Sequence, residues 1–283
     1  MNRYLHILFS ILFASQIQAQ DLNQIEAFAD TLFIHEHFSQ SAKEYQRAIF
    51  FSPEHKKSSL YFKAATCYIL EKEYAKAANY FDYAYFSTPS DSLKQEAIFL
   101  KTACYLYLKQ YQFALGELYN LPEKLSPYNE SRRWFYFGII HFGLENFELS
   151  KNAFLSALDS TQVESRKEIE NIFSTKKNLF KPNPVMASLL SMVFPGSGQL
   201  YAGNYKNAFN SLVLTGIFFS LGINISMKYG YVQGIVAVFP WFFRYYQGGY
   251  EHAQQMAEEK REERRNNSFK NILSIIANSK NKN

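Results

Sequence analysis

The sequence is poor in the residues that build disulfide frameworks, metal centres and most active sites. It has only two cysteines, Cys67 and Cys104, and six histidines among 283 residues. His35 and His37 are two residues apart, which puts them on different faces of a helix, and no cluster with metal-ligand spacing accompanies them. Ser197, which lies between two glycines, lacks the flanking pattern of a nucleophile elbow. We therefore predict no catalytic residue, no cofactor and no metal site.

Acidic residues are scarce in the second part of the chain. Residues 21–160 contain 14 Lys and Arg against 17 Asp and Glu, whereas residues 161–283 contain 15 against 8. A mildly acidic first part and a basic second part do not indicate a nucleic-acid partner. This distribution is typical of a soluble domain followed by a membrane domain whose flanking residues contact anionic lipid. Aromatic residues are abundant at 18%, which is typical of aromatic-rich helix packing and of membrane interfaces.

Residues 1–19 have the features of a secretory signal peptide. Arg3 supplies the positive start, Leu5 to Ala14 form an apolar core, and Ala19 is a small residue before a cut at Gln20. An uncleaved anchor helix is the alternative. Both versions place the chain that follows outside the cytoplasm.

An aromatic residue recurs at spacings of 36, 37 and 36 residues in the first half of the chain. In each copy a small residue follows three positions later, an aromatic residue or Leu four positions further, and a small or apolar residue three beyond that. These spacings put the marked residues on one face of a helix, and a partner helix lies upstream of each copy. The predicted packing residues are Phe38, Tyr45, Ala48, Tyr61, Tyr74, Ala77, Phe81, Ala84, Tyr111, Ala114, Trp134, Gly138, Phe147, Phe154 and Ala157.

This pattern resembles the tetratricopeptide repeat, and we assign residues 20–160 to such an array. The resemblance implies stacked helical hairpins with a concave face that binds a peptide or a protein partner. A rigid spacer without a groove ligand is the alternative. Asn79, Lys101, Tyr105 and Arg133 are candidates for the inner face.

The third copy departs from the pattern, because Lys101 and Thr102 stand at normally apolar and small positions; we interpret this as divergence. Cys67 and Cys104 occupy equivalent sites in adjacent repeats. Equivalent helices lie about 8–10 Å apart, whereas a disulfide needs α-carbons within about 7 Å. We therefore predict two small buried residues in place of a disulfide.

Residues 161–183 are predicted to form a capping helix and a basic, proline-broken linker. The helix carries Ile169, Ile172 and Phe173 at helical spacing, so that it can cover the last repeat. Residues 184–250 then have the composition of a membrane domain of two or three helices. Ala208 to Met227 is 20 residues without a charge, long enough to cross a bilayer. Tyr229 to Phe243 is a second uncharged run, followed by Arg244 and two tyrosines that suit an interface.

A glycine-rich elbow, Pro195-Gly196-Ser197-Gly198-Gln199-Leu200-Tyr201-Ala202-Gly203, interrupts a further apolar run that begins at Val185. The elbow is similar to a family of small bacterial membrane domains with a Pro-Gly-x-Gly-Gln-x-Tyr signature, whose function is not established. Two interpretations remain open: a tight re-entrant turn, or a polar lining for a substrate or a lipid headgroup. The residues concerned are Pro195, Gly196, Gly198, Gln199, Tyr201 and Gly203.

Residues 251–283 are predicted to form a basic, partly amphipathic tail, interrupted at Asn266-Asn267 and resumed by a short helix that Ser268 caps. Positive flanks favour the cytoplasm. We therefore expect three crossings with a cytoplasmic tail, and a two-helix hairpin with an external tail is the alternative.

Together these features predict an all-α protein, a tetratricopeptide-like solenoid of helical hairpins followed by an α-helical membrane domain. We expect it in the bacterial cell membrane with the array on the periplasmic side. There the array would bind or scaffold a protein or peptide partner of the envelope, without catalysis, while the other half contacts membrane lipid. The alternative is a component of a transport or export machine whose helices line a path, which Gln199, Asn210 and Asn224 motivate.

Overall fold

The computed structural model describes residues 21–175 and 179–280. Within these residues there are thirteen bounded helices and no strand, so the all-α prediction is confirmed. The predicted signal peptide at residues 1–19 lies outside the described residues and stays a prediction. The chain divides into two compact units, with the boundary between Ala153 and Phe154.

The first unit is a helical repeat-like array. Consecutive helices from α1 to α7 pack against each other in chain order, and Ser150 of α8 bonds to α7. The helices are α1 (Leu22–Ile34), α2 (Phe38–Phe51), α3 (Glu54–Leu70), α4 (Tyr74–Phe86), α5 (Asp91–Tyr107), α6 (Tyr111–Tyr119), α7 (Pro127–Gly143) and α8 (Phe147–Ala157), which runs across the unit boundary.

The same tight turn joins the two helices of each hairpin. Glu36, Lys72, Lys109 and Glu145 have φ angles of 61°, 61°, 56° and 61°, in the left-handed region that non-glycine residues rarely adopt. Each lies two residues before the repeated aromatic residue, so the four turns recur at the spacing of the sequence pattern. The amide that follows each turn residue donates to a carbonyl five residues back, which closes the end of the first helix.

A second repeated feature is a hydrogen bond between the two helices of a hairpin. Ser41 Oγ donates to the carbonyl of Ala29 at 2.8 Å, and Ser150 Oγ donates to that of Gly138 at 2.8 Å. Both bonds span twelve residues and arise from the same repeat position, which alanine occupies in the two middle hairpins. A small side chain at this position lets the helices approach closely.

The core of the array is formed by small residues and a few large aromatic side chains. The predicted packing positions Ala48, Ala77, Ala84 and Ala114 have no exposed surface, and Gly138 is buried. Among the predicted aromatic positions, Tyr45, Phe81, Phe147 and Phe154 are buried, and Ala157 beside them is buried too. The remaining predicted positions lie at the edges of the interfaces and are half-buried: Phe38, Tyr61, Tyr74, Tyr111 and Trp134.

Both cysteines are free and buried, as the repeat register predicts. Cys67 packs in the cluster formed by the first hairpins, and Cys104 packs in a different cluster with Phe81. Burial raises the pKa of the Cys104 thiol to about 12. The two thiols therefore serve as small apolar core groups.

The second unit contains five helices with bounds in the described residues. They are α9 (Val163–Ser174), α10 (Pro184–Val193), α11 (Ser197–Tyr201), α12 (Tyr205–Tyr229) and α13 (Tyr231–Lys280). The first part of α13 packs along α12, and its later part packs along α10 and then α9. By length and composition, α12 is the one helix in the described part of the chain that could cross a membrane; α10 is apolar but short.

The expected interruption at Asn266-Asn267 is wrong, because α13 continues through it to residue 280. Contacts with the preceding chain hold the helix at this point. Arg265 Nε donates to the carbonyl of Leu179 at 2.7 Å, and Ser268, expected as a cap, is buried inside the helix. Tertiary packing thus outweighs the weak helix propensity of two asparagines.

Replacing Lys72 by glycine should stabilise the array. Glycine adopts a positive φ angle without the penalty that lysine experiences, so we expect Lys72→Gly to raise the free energy of unfolding by about 0.5 kcal/mol. Denaturant titration of the full chain in detergent, followed by circular dichroism, measures this. Glu71→Gly is the matched control: Glu71 has a φ angle of −78°, so glycine there should lower the free energy by about 0.5–1 kcal/mol. Equal effects of the two variants would contradict the turn argument.

Candidate functional site

Lys101 links three helices of the array. Its Nζ lies 2.6 Å from Asp82 Oδ1 of α4 and 2.9 Å from Glu117 Oε1 of α6, and its side chain is only 12% exposed. Burial lowers the pKa of Lys101, but the two carboxylates outweigh burial and the net pKa lies above the usual value. The departure of the third copy from the repeat pattern is therefore a charged junction between neighbouring hairpins.

The neighbouring departure, Thr102, is accommodated within its own helix. Its side chain is fully buried, and its Oγ1 donates to the carbonyl of Ile98 one turn earlier, at 2.8 Å. Both side chains that depart from the repeat pattern therefore have hydrogen-bond or ion-pair partners.

A cleft of about 440 Å³ lies beside this junction. Its charged groups are two carboxylates and one ammonium, so the cleft is net negative, and the ring of Phe86 at its edge is 79% exposed. An acidic cleft with an exposed ring suits a basic or aromatic side chain of a partner. The lining residues are Phe81, Asp82, Tyr85, Phe86, Ala97, Ile98, Lys101, Glu117 and Asn120.

Four tyrosines of α3 and α4 form a second feature of the array, which we call the tyrosine cluster: Tyr61, Tyr68, Tyr80 and Tyr83. Neighbouring ring centroids lie 5.1–6.1 Å apart. Burial, followed by the neighbouring phenols, raises the pKa of Tyr80 to about 12. The repeat pattern places Tyr61 and Tyr68 on one face of the leading helix of the second copy, whereas Tyr80 and Tyr83 were missed by sequence reasoning.

The array also exposes several large aromatic side chains. They include Phe50 at 81%, Phe113 at 64% and Tyr119 at 69% exposure. Aromatic residues are enriched in the energetic centres of protein–protein interfaces. Of the candidates for the inner face, Asn79 is exposed and Tyr105 is half-buried, whereas Arg133 is engaged with Glu130.

The elbow of the second unit turns the chain back on itself. Helix α10 ends at Val193, and Gly196 takes a φ angle of 93° before α11 begins at Ser197. The backbone amide of Asn183 donates to the hydroxyl of Tyr201 at 3.1 Å, so the chain returns to the point where it entered. Gly203 also has a positive φ angle, 87°, and precedes α12.

Gln199 is the buried centre of the elbow, with 1% of its surface exposed. Its Oε1 accepts a hydrogen bond from Ser191 Oγ at 2.8 Å, and its Nε2 donates to the carbonyl of Gly249 at 2.7 Å. Ser191 Oγ accepts in turn from the amide of Gly198 at 2.9 Å. The amide therefore joins α10, α11 and α13 and is occupied by the protein itself.

Glycine is required at two elbow positions by close backbone approach. A methyl group on Gly198 would collide with the carbonyl oxygen of Ala187, and one on Gly196 would collide with that of Ala208. Small residues also line the contact between α10 and α13, where Ala187 of α10 packs in a cluster with Ala253 and Ala257 of α13. Sequence reasoning missed these partners, although their four-residue spacing from Gly249 was a visible signal.

This chain matches no family model, and no curated protein or solved structure is detectably similar to it. The structure supports a helical repeat-like array with packing between consecutive helices. In the described part of the chain, no three His, Cys, Asp or Glu residues are grouped so as to hold a metal ion. The absence of catalysis stays a prediction.

Removing the Lys101 ammonium should destabilise the array. Lys101→Met leaves two partly buried carboxylates without their partner, and we expect a loss of about 1–2 kcal/mol at pH 7 in denaturant titrations. The folded-state pKa of Lys101 lies above its unfolded value, so its stabilising contribution is fully present at pH 7 and is lost as the pH rises through the folded-state pKa. The difference between the variant and the unchanged chain should therefore shrink at strongly alkaline pH.

Lys76→Met is the matched control for this ion pair. Lys76 pairs with Glu73 on the surface with its side chain 61% exposed, so we expect a change within about 0.5 kcal/mol. An effect of Lys101→Met that is equally small, or independent of pH, would contradict the junction.

Replacing the elbow amide should weaken the second unit. Gln199→Leu removes the acceptor of the Ser191 hydroxyl and the side-chain donor to the Gly249 carbonyl, and we expect a loss of about 1–3 kcal/mol, measured by unfolding in detergent. Gln247→Leu is the control, because among the described residues the Gln247 amide donates to the exposed carboxylate of Glu251 alone. A Gln199 variant as stable as the control would show that the amide does not hold the elbow.

Proposed function

We propose that this protein is a bacterial envelope membrane protein whose tetratricopeptide-like array binds or scaffolds a protein partner, without catalysis. The array lies on the periplasmic side, and the α12–α13 hairpin anchors it in the membrane. The observation that carries the proposal is the acidic, aromatic-edged cleft between the second and third hairpins, where Asp82, Glu117 and Phe86 are presented together.

The chemistry of the cleft supports recognition of a peptide over catalysis of a reaction. Its charged groups already form an ion pair, and its ammonium has a raised pKa, whereas a general base needs a pKa near the working pH. The remaining negative charge and the exposed Phe86 ring favour a partner segment that carries a basic residue next to an apolar one. The four equal turns support a tetratricopeptide-like register for the array.

The dimensions of the second unit support a membrane anchor. Helix α12 has 25 residues, about 37 Å at 1.5 Å per residue, against a hydrocarbon core of about 30 Å. Tyr205 and Tyr229 mark its two ends, and Tyr231 opens the returning helix with 82% of its surface exposed. Tyrosines at both ends of an apolar helix are typical of the two membrane interfaces.

By length and composition α12 is the candidate span of the described residues, and we propose that the first part of α13, which packs along it, is the return path. Contacts within the second unit support this hairpin and a tail on the side of the array. Gln162 Nε2, just before α9, donates to the carbonyl of Ser279 at 3.0 Å. Arg264 donates to the carbonyl of Lys181 at 3.2 Å. Residues before the hairpin thus touch residues after it, and a bilayer between them would break these bonds. Only five residues separate α8 from α9, too few to cross a bilayer. We therefore place the array on the same side of the membrane as α9 and the tail.

The lysines and arginines of the tail favour the cytoplasm, and the tail keeps this charge, because Arg264 and Arg265 donate to neutral linker carbonyls. The bonds between the tail and the chain before α12 are the observation on which the proposal of a tail on the side of the array rests.

Site-specific photocrosslinking tests the partner. A photoreactive phenylalanine analogue placed at Phe86 in the full chain, irradiated in native membranes, should give an adduct of discrete higher mass on an immunoblot. Phe86→Ser in a chain labelled at a neighbouring cleft position, Tyr85, should reduce that adduct several-fold.

The matched control for this experiment places the same analogue at Phe50, which is 81% exposed against 79% for Phe86. Phe50 belongs to the first hairpin and lies outside the cleft. The same adducts from both positions, or none from Phe86, would contradict a partner site at the cleft.

A further inference from the structure

The outward face of α12 carries two asparagines at a coiled-coil spacing. The opposite face packs on α13: Thr215 is buried there, and Gly222 faces Val238. At 100° per residue, Asn210, Ile217 and Asn224 lie on the side turned away from α13. They are exposed, and seven residues separate each from the next.

Neither asparagine amide has a partner in the described part of the chain. No hydrogen bond joins Asn210 or Asn224 to any other described residue, in contrast to Asn207, whose amide reaches Met256 at 3.8 Å. With Ile217 at the centre of α12, each amide lies about 10.5 Å from the midplane of a core with a half-thickness of about 15 Å. The short asparagine side chain, unlike Lys or Arg, does not extend far enough to reach the interface.

An unpaired amide in hydrocarbon is costly, because lipid tails offer no donor or acceptor. A partner helix that presents an amide at the same depth removes the cost, and interhelical amide bonds of this kind stabilise helix association in membranes. Asparagine is self-complementary, since its amide carries both an acceptor oxygen and two donor hydrogens.

A second copy of this chain meets all of these requirements. Copies of one protein enter the bilayer in the same orientation, so their α12 helices are parallel and Asn210 and Asn224 each meet their own equivalent at the same depth. The spacing of seven keeps both amides on one seam of a left-handed helix pair. Ile217 fills the seam between them.

We propose that a second copy of this chain docks on the outward face of α12 through Asn210, Ile217 and Asn224. The pairing rests on the proposed function only in requiring that α12 lies in the bilayer. It gives the anchor a dimeric form, so that two arrays stand side by side at the membrane.

Disulfide cross-linking of the full chain in native membranes tests the pairing. In a Cys67→Ala/Cys104→Ala background, Ile217→Cys should form a disulfide dimer upon mild oxidation, seen on a non-reducing gel. Ile223→Cys is the matched control: it is 47% exposed against 54% for Ile217 but lies about 120° around the helix. We expect at least five-fold faster cross-linking at position 217; equal rates at the two positions overturn the proposal.

The amides are tested in the same Ile217→Cys chain. Asn210→Leu/Asn224→Leu should slow cross-linking at least five-fold, whereas Asn207→Leu, which removes an amide that faces α13, should leave the rate unchanged. An unchanged rate in the double variant overturns the role of the amides.

Extraction at alkaline pH separates this proposal from the proposed function. Chain retained in the membrane but cross-linked equally at positions 217 and 223 overturns only the pairing. Chain released from the membrane overturns the anchor and the pairing together.

Discussion

A buried primary amide has to satisfy its oxygen and its nitrogen without water, and the second unit is arranged around that requirement at Gln199. The amide bonds to Ser191 on one side and to the carbonyl of Gly249 on the other. Both bonds exist only because the chain turns back at Gly196 and because Gly198 lets two backbones come close. The elbow is thus a joint that fixes where α10 stops, where α12 starts and which part of α13 lies against them.

The long helix α13 runs from this joint back to the linker and to α9, which precede the hairpin in the chain. Its alanines at positions 253 and 257 pack on α10, its arginines hold the linker carbonyls, and its end reaches Gln162. The described residues of the linker and the tail, together with α9, therefore pack at one end of the apolar hairpin.

In the array, by contrast, one turn conformation is repeated in every hairpin. Four turns with φ angles of 56–61° recur at the period of the aromatic residues. That periodicity explains why the fold class, the hairpin register and the free cysteines could be predicted from the sequence. The Lys101 junction could not, because its carboxylates come from neighbouring hairpins. The unbroken α13 and the Gln162–Ser279 bond could not be predicted either. They depend on contacts between residues 86 and 117 positions apart in the chain, which no local pattern records.

The central claim is that the chain enters and leaves the membrane on the side of the array. Labelling of single cysteines by a membrane-impermeant maleimide tests it most directly, in the Cys67→Ala/Cys104→Ala background and in cells with an opened outer envelope. Asn278→Cys should be labelled from outside as readily as Asn79→Cys in the array. Labelling of Asn278→Cys only after the inner membrane is permeabilised, with Asn79→Cys labelled before, would contradict the account.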